Sequence, residues 1–344
     1  MKHSVKKFIS PRERHDFKTR TCSVAAVGSY LPSRVLTNAD LTKMVDTSDE
    51  WITTRTGIKE RRLAGKHEHT SDIAAKAALV AMERAKVTPE QIDLIILATI
   101  TPDMPFPSTA CVVQRKIGAV RAAAFDIQAA CSGYIFALEV GHHFIMAHTA
   151  ETVLVIGAEK LSSIVDWTDR NTCVLFGDGA GAAVLRSRPN SHGLITTCLG
   201  SDGRKTDLLC MPGGGSQHPA TAHTLATGMH FLRMDGKETF KNAVNAMYSA
   251  GKEALRRCET DISHIKCIIP HQANRRIIDA VAERLGATPE QIFVNLHKYG
   301  NTSAASVAIA LDEAVQEGRI QKGDLIMLIA FGAGLTWAAA VIEW

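Results

Sequence analysis

A cysteine stands at a corner of the chain where a thiol can be made reactive. In the stretch AFDIQAACSGYIFALEVG, residues 124–141, an apolar run leads to Cys131 and a second apolar run follows. This pattern predicts that a buried strand ends and a helix begins there. A helix N-terminus offers free N–H groups and partial positive charge, which lower a thiol pKa and favour the nucleophilic thiolate. The small neighbours leave room for a substrate, although a buried structural cysteine is the common alternative.

A histidine and an asparagine occupy corners of the same kind. Nucleophilic cysteines usually work with a histidine. His271 is distinguished among the fourteen histidines because it directly follows the predicted strand IKCIIP and precedes a helix. Asn301, in KYGNTSAAS, lies at a further corner, where turn chemistry is the simpler interpretation of an asparagine. Functional groups of α/β folds collect at the carboxyl ends of strands, so the three residues are candidates for one site.

Other motifs give no sign of a metal or a cofactor. His67 and His69 lie in a charged loop and are interpreted as solvated, and no Cys-x-x-Cys pair occurs. The glycine-rich stretch FGDGAGAA, residues 176–183, lacks the acidic residue that a dinucleotide site places about 20 positions later. We interpret it as a glycine turn that leads into a buried strand.

Composition favours a globular protein of the cytoplasm. The 344 residues include 46% hydrophobic and 22% charged residues, and the net charge of +4 is too mild to indicate nucleic-acid binding. The eight scattered cysteines indicate reduced thiols. The basic stretch 1–20 has no apolar core and is interpreted as a disordered tail, with organelle targeting as the alternative. The uncharged stretch 325–342 is interpreted as two buried strands joined by a glycine turn, and not as a membrane span.

Short apolar runs alternate with alanine-rich amphipathic segments. This alternation predicts an α/β fold with a mostly parallel sheet that is covered on both faces. The predicted strands lie at residues 93–100, 123–129, 152–158, 265–270 and 324–331. The predicted helices lie at residues 71–85, 134–147, 275–286 and 303–318.

The second half of the chain looks like a diverged copy of the first. Residues 116–159 and 284–334 share one order of predicted features: helix end, strand, small-residue corner, helix and strand. Turn-forming residues at 187–193 indicate the boundary. We therefore expect a tail at 1–20, an N-terminal half at 21–190 with the cysteine, and a C-terminal half at 191–344 with the histidine and asparagine.

Six motifs carry a resemblance to a known family. DEWITTRTGI, DIQAACSGY, FGDGAGAAV, HQANRRI, GNTSAAS and AFGAGLTW occur in the order and spacing of β-ketoacyl-acyl-carrier-protein synthase III. The resemblance runs from about Cys22 to the last residue. It implies a thiolase-like, five-layered αβαβα fold, built from two similar halves with the active site between them, in a homodimer.

The resemblance also implies a reaction and its residues. Cys131 would take an acetyl group, or another short acyl group, from acyl-CoA. His271 and Asn301 would stabilise the enolate that forms when malonyl-acyl-carrier protein loses CO₂. The backbone N–H groups of Cys131 and Ala333 would hold the oxyanion, with alanine at 333 where the family usually has glycine. Phe331 would crowd the malonyl carboxylate. The family's role for this enzyme, an acyltransferase, is to start fatty acid synthesis.

The same resemblance implies binding residues for both thioesters. Trp51 and Arg170 would sandwich the CoA adenine, and the other CoA contacts would be Thr47, Arg55, Gly236 and Asn274. The acidic carrier protein would dock on Lys241 and Arg276, with Arg275, Lys237 and Arg284 as helpers. Phe106 would reach across the dimer and cover the partner's acyl pocket. The CoA thioester is a substrate, so no cofactor is implied.

Four alternatives compete with this interpretation. A degradative thiolase uses a second cysteine near its C-terminus, but no cysteine follows Cys267. Chain-elongating synthases use two histidines, one of which Asn301 replaces here. A condensing enzyme of secondary metabolism, with the same trio of Cys131, His271 and Asn301 but another acyl primer or acceptor, is the main alternative. A non-catalytic binding protein of the same fold would not need the intact trio.

Overall fold

The computed structural model describes residues 20–189 and 193–344. The predicted tail therefore lies outside the described residues, except for Arg20, which begins the first strand. The strands are β1 Arg20–Tyr30, β2 Arg34–Thr37, β3 Glu60–Leu63, β4 Leu94–Ala98, β5 Ala123–Ile127, β6 Thr152–Lys160, β7 Asp178–Pro189, β8 Leu194–Ser201, β9 Leu209–Cys210, β10 Arg233–Met234, β11 Ile265–Pro270, β12 Leu325–Gly332 and β13 Thr336–Glu343. The α-helices are α1 Asn38–Leu41, α2 Asp49–Thr56, α3 Thr70–Ala85, α4 Thr109–Ile117, α5 Gly133–Met146, α6 Arg170–Cys173, α7 Ala222–Ala226, α8 Gly236–Arg257, α9 Arg275–Leu285, α10 Leu296–Tyr299 and α11 Ala305–Gln316.

Two central sheets organise the molecule. The first has the strand order β1-β7-β6-β4-β5 and the second the order β11-β12-β13-β8. The expectation of mostly parallel sheets is wrong, because both are mixed: β4 pairs in parallel with β5 and β6, and β11 with β12, whereas β1, β7, β8 and β13 pair antiparallel. In the second sheet, β12 and β13 are joined by a tight turn, and hairpin-joined neighbours must run antiparallel.

Helices and sheets alternate in five layers. Helices α3 and α4 cover the outer face of the first sheet, and α8 packs on the outer face of the second. Helices α5 and α11 contact strands of both sheets and therefore form the middle layer. The largest cluster of buried apolar side chains lies in this layer, because α5 and α11 are apolar around much of their circumference.

In the middle layer, the backbone of α11 lies very close to the backbone of the first sheet. A side chain at Gly157 would approach the carbonyl oxygen of Ala304 to 2.5 Å, and one at Gly181 would approach Cβ of Ala308 to 2.5 Å. Glycine on the strands and alanine on α11 therefore let the helix lie directly on the first sheet. This contact fixes the start of α11, and with it the segment 301–303, against the end of β6.

The local predictions are mostly confirmed. The five predicted strands and four predicted helices are present, and residues 325–342 form the two strands β12 and β13. One feature of the internal repeat differs, because the strand expected near Ile292 is reduced to a single bridge with Ile268 and is followed by the short helix α10. Within residues 20–189 and 193–344, no helix is long and apolar enough to cross a membrane.

Candidate active site

One cavity brings the three candidate residues together. It has a volume of about 600 Å³, and its lining includes Cys131, His271 and Asn301, with Phe331 and Gly332 beside them. The side chains of the trio are almost fully buried. The first sheet supplies the cysteine and the second sheet supplies Phe331 and, just beyond β11, the histidine. The cavity is therefore a deep site to which both sheets contribute.

Cys131 lies in a tight turn between β5 and α5. The turn is a 3-10 segment, Ala130–Ser132, and Ala130 adopts a left-handed backbone conformation with φ of 44°. The hydroxyl of Ser132 donates to the carbonyl of Ala129 at 2.8 Å, and Thr336 donates to the same carbonyl at 2.9 Å. Non-glycine residues seldom adopt this conformation, so these bonds help to hold the turn that presents the sulfur.

The protonated form of the Cys131 thiol is favoured. Burial raises its pKa to about 12, the Ser303 hydroxyl opposes this by hydrogen bonding, and the negative charge of Glu159 adds to the rise. The sequence predicted a helix start that lowers the thiol pKa, but desolvation is the larger effect here. The thiolate must therefore be formed as the reaction begins.

His271 is neutral and its tautomer is defined. Burial lowers its pKa to about 3. The Nδ1 atom lies 2.6 Å from the Ser306 hydroxyl oxygen, which also accepts from the Gln272 N–H at 3.4 Å. Because no other acceptor for the Ser306 hydroxyl is found among the described residues, we assign its proton to the bond with Nδ1. Nε2 then carries the proton of His271 and is available as a donor.

Asn301 is oriented by its own turn. Its Oδ1 accepts from the N–H of Ser303 at 2.8 Å. Its backbone N–H donates to Leu175 at 2.8 Å, and its backbone carbonyl accepts from Gly177 at 3.0 Å. With Oδ1 engaged, Nδ2 is the group left to donate toward a ligand. His271 and Asn301 thus form a pair of neutral donors.

The turn after β12 lies against the nucleophile's backbone. A Cβ atom at Gly332 would come within 2.6 Å of the Cys131 nitrogen, so a side chain is excluded there. The next residue, Ala333, carries an N–H that has no backbone or side-chain acceptor within the described residues. The methyl group of Ala333 therefore leaves this donor free.

A second cavity meets the first at Cys131. It has a volume of about 370 Å³, and most of its lining is apolar, including Ile100, Leu161 and Leu232. Ala333 and Ser303 also line it. Its position beside the sulfur is suited to hold the hydrocarbon part of an acyl group attached to Cys131.

Aromatic and cationic side chains line the outer part of the first cavity. The guanidinium carbon of Arg55 lies 4.7 Å from the ring centroid of Trp51, and that of Arg170 lies 4.9 Å from it. Arg170 also donates to the backbone carbonyl of Asp46 at 2.8 Å. The two arginine side chains therefore lie over the Trp51 ring, at the slot predicted for the adenine.

The other predicted CoA residues lie near this slot. Asn274 and Gly236 line the first cavity, and the Asn274 amide donates to the carbonyl of Arg55 at 3.0 Å. Thr47 does not line the cavity, but its hydroxyl is buried and has no hydrogen-bond partner among the described residues. A buried hydroxyl without a partner is costly, and a ligand that bonds it would remove that cost.

The predicted docking residues flank the same cavity. Arg276 is exposed, lines the cavity and lies over the ring of Phe240, with 5.7 Å between guanidinium carbon and centroid. Lys241 is exposed on α8, next to Phe240. Phe106, in contrast, lines neither cavity and is 83% exposed. The two cavities of one chain are therefore lined by every predicted site residue except Thr47, Arg170, Lys241 and Phe106, and Arg170 still lies over the lining residue Trp51.

Comparison with known proteins identifies the family. The profile described as 3-oxoacyl-[acyl-carrier-protein (ACP)] synthase III matches residues 125–203, and the profile of its C-terminal part matches residues 255–344. A β-ketoacyl-[acyl-carrier-protein] synthase III of Caldanaerobacter subterraneus is 56% identical over 321 residues, which are 93% of this chain and 97% of that protein. This chain belongs to the β-ketoacyl-acyl-carrier-protein synthase III family.

Solved structures of the family agree with this. The crystal structure of 3-oxoacyl-[acyl-carrier-protein] synthase III from Aquifex aeolicus is 49% identical, covers 94% of this chain and 100% of its own, and has a TM-score of 0.87. In sequence, a β-ketoacyl-[acyl-carrier-protein] synthase III of Symbiobacterium thermophilum is 51% identical over 327 residues, which are 95% of this chain and 99% of that protein. The predicted thiolase-like fold is confirmed, and the chain is a condensing acyltransferase by family.

The family resemblance did not predict several polar residues behind the trio. Ser306 fixes the tautomer of His271, and Ser303 orients Asn301. Glu159 is fully buried beside Ser303, with 3.2 Å between Oε1 and the hydroxyl oxygen. Glu159 directly follows the predicted strand 152–158, but its contact with Ser303 could not be predicted from that position alone. In the described part of the chain, no group of three or more His, Cys, Asp or Glu side chains could hold a metal ion.

Proposed function

We propose that this protein is the synthase III that starts fatty acid synthesis, by condensing acetyl-CoA with malonyl-acyl-carrier protein. The products are acetoacetyl-acyl-carrier protein, CO₂ and CoA. One observation carries this proposal. A buried thiol shares a cavity with two neutral donors whose orientations are fixed by Ser303 and Ser306. The high identity to synthase III relatives does not favour a specialised condensing enzyme.

The first half-reaction loads the enzyme. The sulfur of Cys131 attacks the acetyl carbonyl carbon, and the carbonyl oxygen becomes negative. The backbone N–H groups of Cys131 and Ala333 are the proposed donors to this oxyanion, and one such donor is typically worth about 2.7–4 kcal/mol. The C–S bond to CoA then breaks, which leaves an acetyl thioester on Cys131. The acetyl methyl group enters the second, apolar cavity.

The second half-reaction uses the two neutral donors. When the malonyl thioester loses CO₂, negative charge moves to its thioester oxygen. Nε2 of His271 and Nδ2 of Asn301 would donate to this oxygen without transferring a proton, because a neutral imidazole and an amide are weak acids. Phe331 lies in the cavity wall beside them and offers the carboxylate no hydrogen bond. An apolar wall disfavours the charged carboxylate and favours its loss as CO₂. The enolate carbon then attacks acetyl-Cys131.

CoA binding requires the outer slot to open. An adenine ring stacked on Trp51 would lie about 3.5 Å above the indole ring, and a guanidinium group stacked on the adenine would lie about 3.5 Å further out. The guanidinium group would then be about 7 Å from the Trp51 ring. Arg170 is at 4.9 Å and must move outward. It is exposed and bonded to a backbone carbonyl of a surface loop, so this movement breaks no buried contact. Arg55 and the unpaired Thr47 hydroxyl are the proposed partners of the phosphates and the nucleotide end.

The carrier protein is proposed to dock on α8 and α9. Arg276 has no carboxylate partner within the described residues, whereas its neighbour Arg275 is paired with Asp279 at 2.7 Å. Lys241 and Lys237 are exposed on α8, one helical turn apart. Free cations around the cavity mouth would steer an acidic partner toward it.

We further propose a homodimer in which Phe106 covers the partner's acyl pocket. The edge strand β5 of the first sheet has one unpaired side, and large apolar side chains near it, Phe106 and Val120, are 83% and 77% exposed. A second copy on this edge would pair the free backbone groups and cover these side chains. The free state of all eight cysteines is in keeping with a proposed cytoplasmic location.

The test is a condensation assay with purified protein, acetyl-CoA and malonyl-acyl-carrier protein. We expect acetoacetyl-acyl-carrier protein and one CO₂ for each CoA released. A panel of longer and branched acyl-CoA primers measures which acyl groups the second cavity accepts. The matched control is Cys131→Ala, which should give no condensation product. Absence of product with the parent protein and every primer, while the protein is folded, would overturn the proposal.

A further inference from the structure

A buried carboxyl group lies close behind Cys131 and has no role in the mechanism described above. Glu159, in β6, is fully buried. Burial raises its pKa, and hydrogen bonds from the surrounding residues oppose this rise. A buried carboxyl without a cation is costly unless donors surround it. The arrangement of those donors indicates what this group can do.

The two oxygens of Glu159 have unequal surroundings. Oε2 accepts from the Thr99 hydroxyl at 3.1 Å, the Ile100 N–H at 3.1 Å, and the N–H and hydroxyl of Thr101 at 3.1 and 2.6 Å. Oε1 accepts from the Ser303 hydroxyl and more weakly shares the Ile100 N–H, both at 3.2 Å. Oε2 is therefore saturated, and the capacity to take a proton lies on Oε1, the oxygen that faces Ser303.

Ser303 connects this oxygen to the nucleophile. Its hydroxyl lies 3.2 Å from Oε1 of Glu159, and hydrogen bonding by Ser303 lowers the pKa of the Cys131 thiol against the effect of burial. Both Ser303 and Cys131 line the second cavity. Ser303 has a φ of 48°, and its N–H is bonded to Asn301 at 2.8 Å. The turn thus holds one hydroxyl between the two acidic groups.

We propose that Glu159 receives the proton of the Cys131 thiol through Ser303 during acyl transfer and returns it at the end of the cycle. This inference rests on the proposed condensation. As the sulfur attacks the acetyl carbon, the thiol proton passes to the Ser303 oxygen, and the Ser303 hydroxyl proton passes to Oε1. The new S–C bond forms, the bond to CoA breaks, and the CoA thiolate takes a proton from water. Glu159 is then neutral.

The proton held by Glu159 returns to Cys131 at the end of the cycle. Loss of CO₂ leaves an enolate, which attacks the acetyl carbon and releases Cys131 as a thiolate. The stored proton then moves from Glu159 to Ser303 while the Ser303 proton moves to the sulfur. Each turnover takes one proton from the solvent, and CoA carries it away. A neutral Glu159 during decarboxylation also keeps a negative charge away from the developing enolate.

The electrostatics of the site suit this role. Burial raises the pKa of Glu159 to about 7, and a base works best when its pKa lies near the working pH. The high pKa of Cys131 means that the thiolate does not accumulate and that proton removal accompanies attack. Transfer to Glu159 also removes the charge that opposes thiolate formation.

Few other charged groups face Glu159. Its strand partner on β7 is Gly179, and the segments of residues 99–101 and 301–303 that pack against it carry no titratable side chain. The adjacent Lys160 donates to two backbone carbonyls, and Asp178 accepts from Ser162 at 2.6 Å. His271 lines the first cavity together with Cys131, and its Nδ1 is engaged by the Ser306 hydroxyl.

The variant Glu159→Gln tests the proposal with little change in shape. The amide oxygen can occupy the Oε2 position and accept from the same donors, while the amide NH₂ faces Ser303 and donates to it. The introduced amide thus resembles the protonated glutamate but cannot take a proton. Thr99→Val is the matched control, because it removes one donor to Oε2 and leaves the path through Ser303 intact.

Acetyl transfer and CO₂ release are measured separately, in single-turnover reactions. For Glu159→Gln we expect acetyl transfer from acetyl-CoA to fall about 100-fold or more, the usual contribution of a general base. Its rate should rise with pH without the levelling near pH 7 that we expect for the parent. The variant, once fully acetylated, should release CO₂ from malonyl-acyl-carrier protein at close to the parental rate. Ser303→Ala should lose acetyl transfer to a similar extent. Thr99→Val should keep acetyl transfer, but its rate should level off at a higher pH, because loss of the Thr99 donor raises the pKa of Glu159.

Four outcomes would overturn the inference. If the parent itself is not acetylated, the proposed function fails and this inference falls with it. If the parent is acetylated and Glu159→Gln matches its rate and pH profile, the proton goes elsewhere and only the inference fails. If Glu159→Gln slows CO₂ release as much as acetyl transfer, its role is structural. Should Glu159→Gln not fold, parental transfer rates in Ser303→Ala would serve as the refutation.

Discussion

Replacement of Asn301 should separate the two half-reactions. Its Nδ2 donor is aimed by the bond between Oδ1 and Ser303, and the proposed acyl-transfer step does not use it. Asn301→Ala removes one of two neutral donors to the enolate oxygen. Loss of a single donor of this type costs about 100- to 1000-fold in rate, or about 2.7–4 kcal/mol. We therefore expect CO₂ release to fall by that factor, while acetyl transfer falls much less, because the variant keeps the Ser303 hydroxyl and loses only the acceptor of the Ser303 N–H.

The same substitution has a separate cost in stability. The Ser303 N–H loses a buried acceptor, and a buried donor without a partner costs about 1–3 kcal/mol of unfolding free energy. Asn301→Asp serves as the matched variant, because a carboxylate oxygen still accepts from Ser303 while the donor is lost. Its CO₂ release should fall at least as far, since a negative charge then faces the enolate.

The assay follows acetyl loading by intact-protein mass spectrometry and labelled CO₂ release from malonyl-acyl-carrier protein. Thermal unfolding of each variant, measured in parallel, shows whether the protein is folded at the assay temperature. The reasoning is refuted if Asn301→Ala releases CO₂ at the parental rate. It is also refuted if the folded variant cannot be acetylated, because Asn301 would then act in the first half-reaction.

Four further predictions concern individual residues. Cys131→Ser should form no stable acetyl adduct by mass spectrometry, since a hydroxyl is far less acidic than a thiol. Arg276→Glu should weaken use of malonyl-acyl-carrier protein more than use of acetyl-CoA, by a factor that shrinks with added salt, whereas Lys322→Glu, outside both cavities, should not. Gly332→Ala should slow acetyl transfer in stopped-flow assays, because its methyl group would lie 2.6 Å from the Cys131 nitrogen. The lowered pKa of His271, about 3, predicts CO₂ release without an inflection near pH 6.5. Folding stability should fall as pH drops below 6.5, where only the unfolded histidine gains a proton.

Local sequence was enough to predict the trio and not the groups behind it. Cys131 and His271 follow apolar strands and precede helices, a pattern visible within about ten residues. Glu159 and Ser303 are 144 positions apart, so their contact exists only after both halves have packed. No local pattern marks such a pair. The pKa of the Cys131 thiol depends on the same packing, because burial raises it. The helix start alone had predicted a lowered pKa.

Arg61 shows a second limit of sequence patterns. It lies in the charged stretch KERR, which indicates exposure, yet it is fully buried. Its guanidinium donates to the carbonyls of Leu36 and Val174 at 3.2 and 2.7 Å. These bonds fix the loop whose next residue, Leu175, accepts from Asn301. The prediction of mostly parallel sheets was wrong for a related reason. Strands β1 and β7 are far apart in the sequence, so no local pattern indicates that they pair antiparallel.

The first cavity has a kinetic consequence. Residues proposed for CoA and the arginine proposed for carrier-protein docking line the same 600 Å³ space, and it ends at one sulfur. Two pantetheine arms cannot occupy it together, so CoA has to depart before the second thioester enters. Initial velocities at several fixed concentrations of one thioester should therefore give parallel lines in double-reciprocal plots. Excess acetyl-CoA should inhibit, because it can occupy the acetylated enzyme and keep the malonyl thioester out.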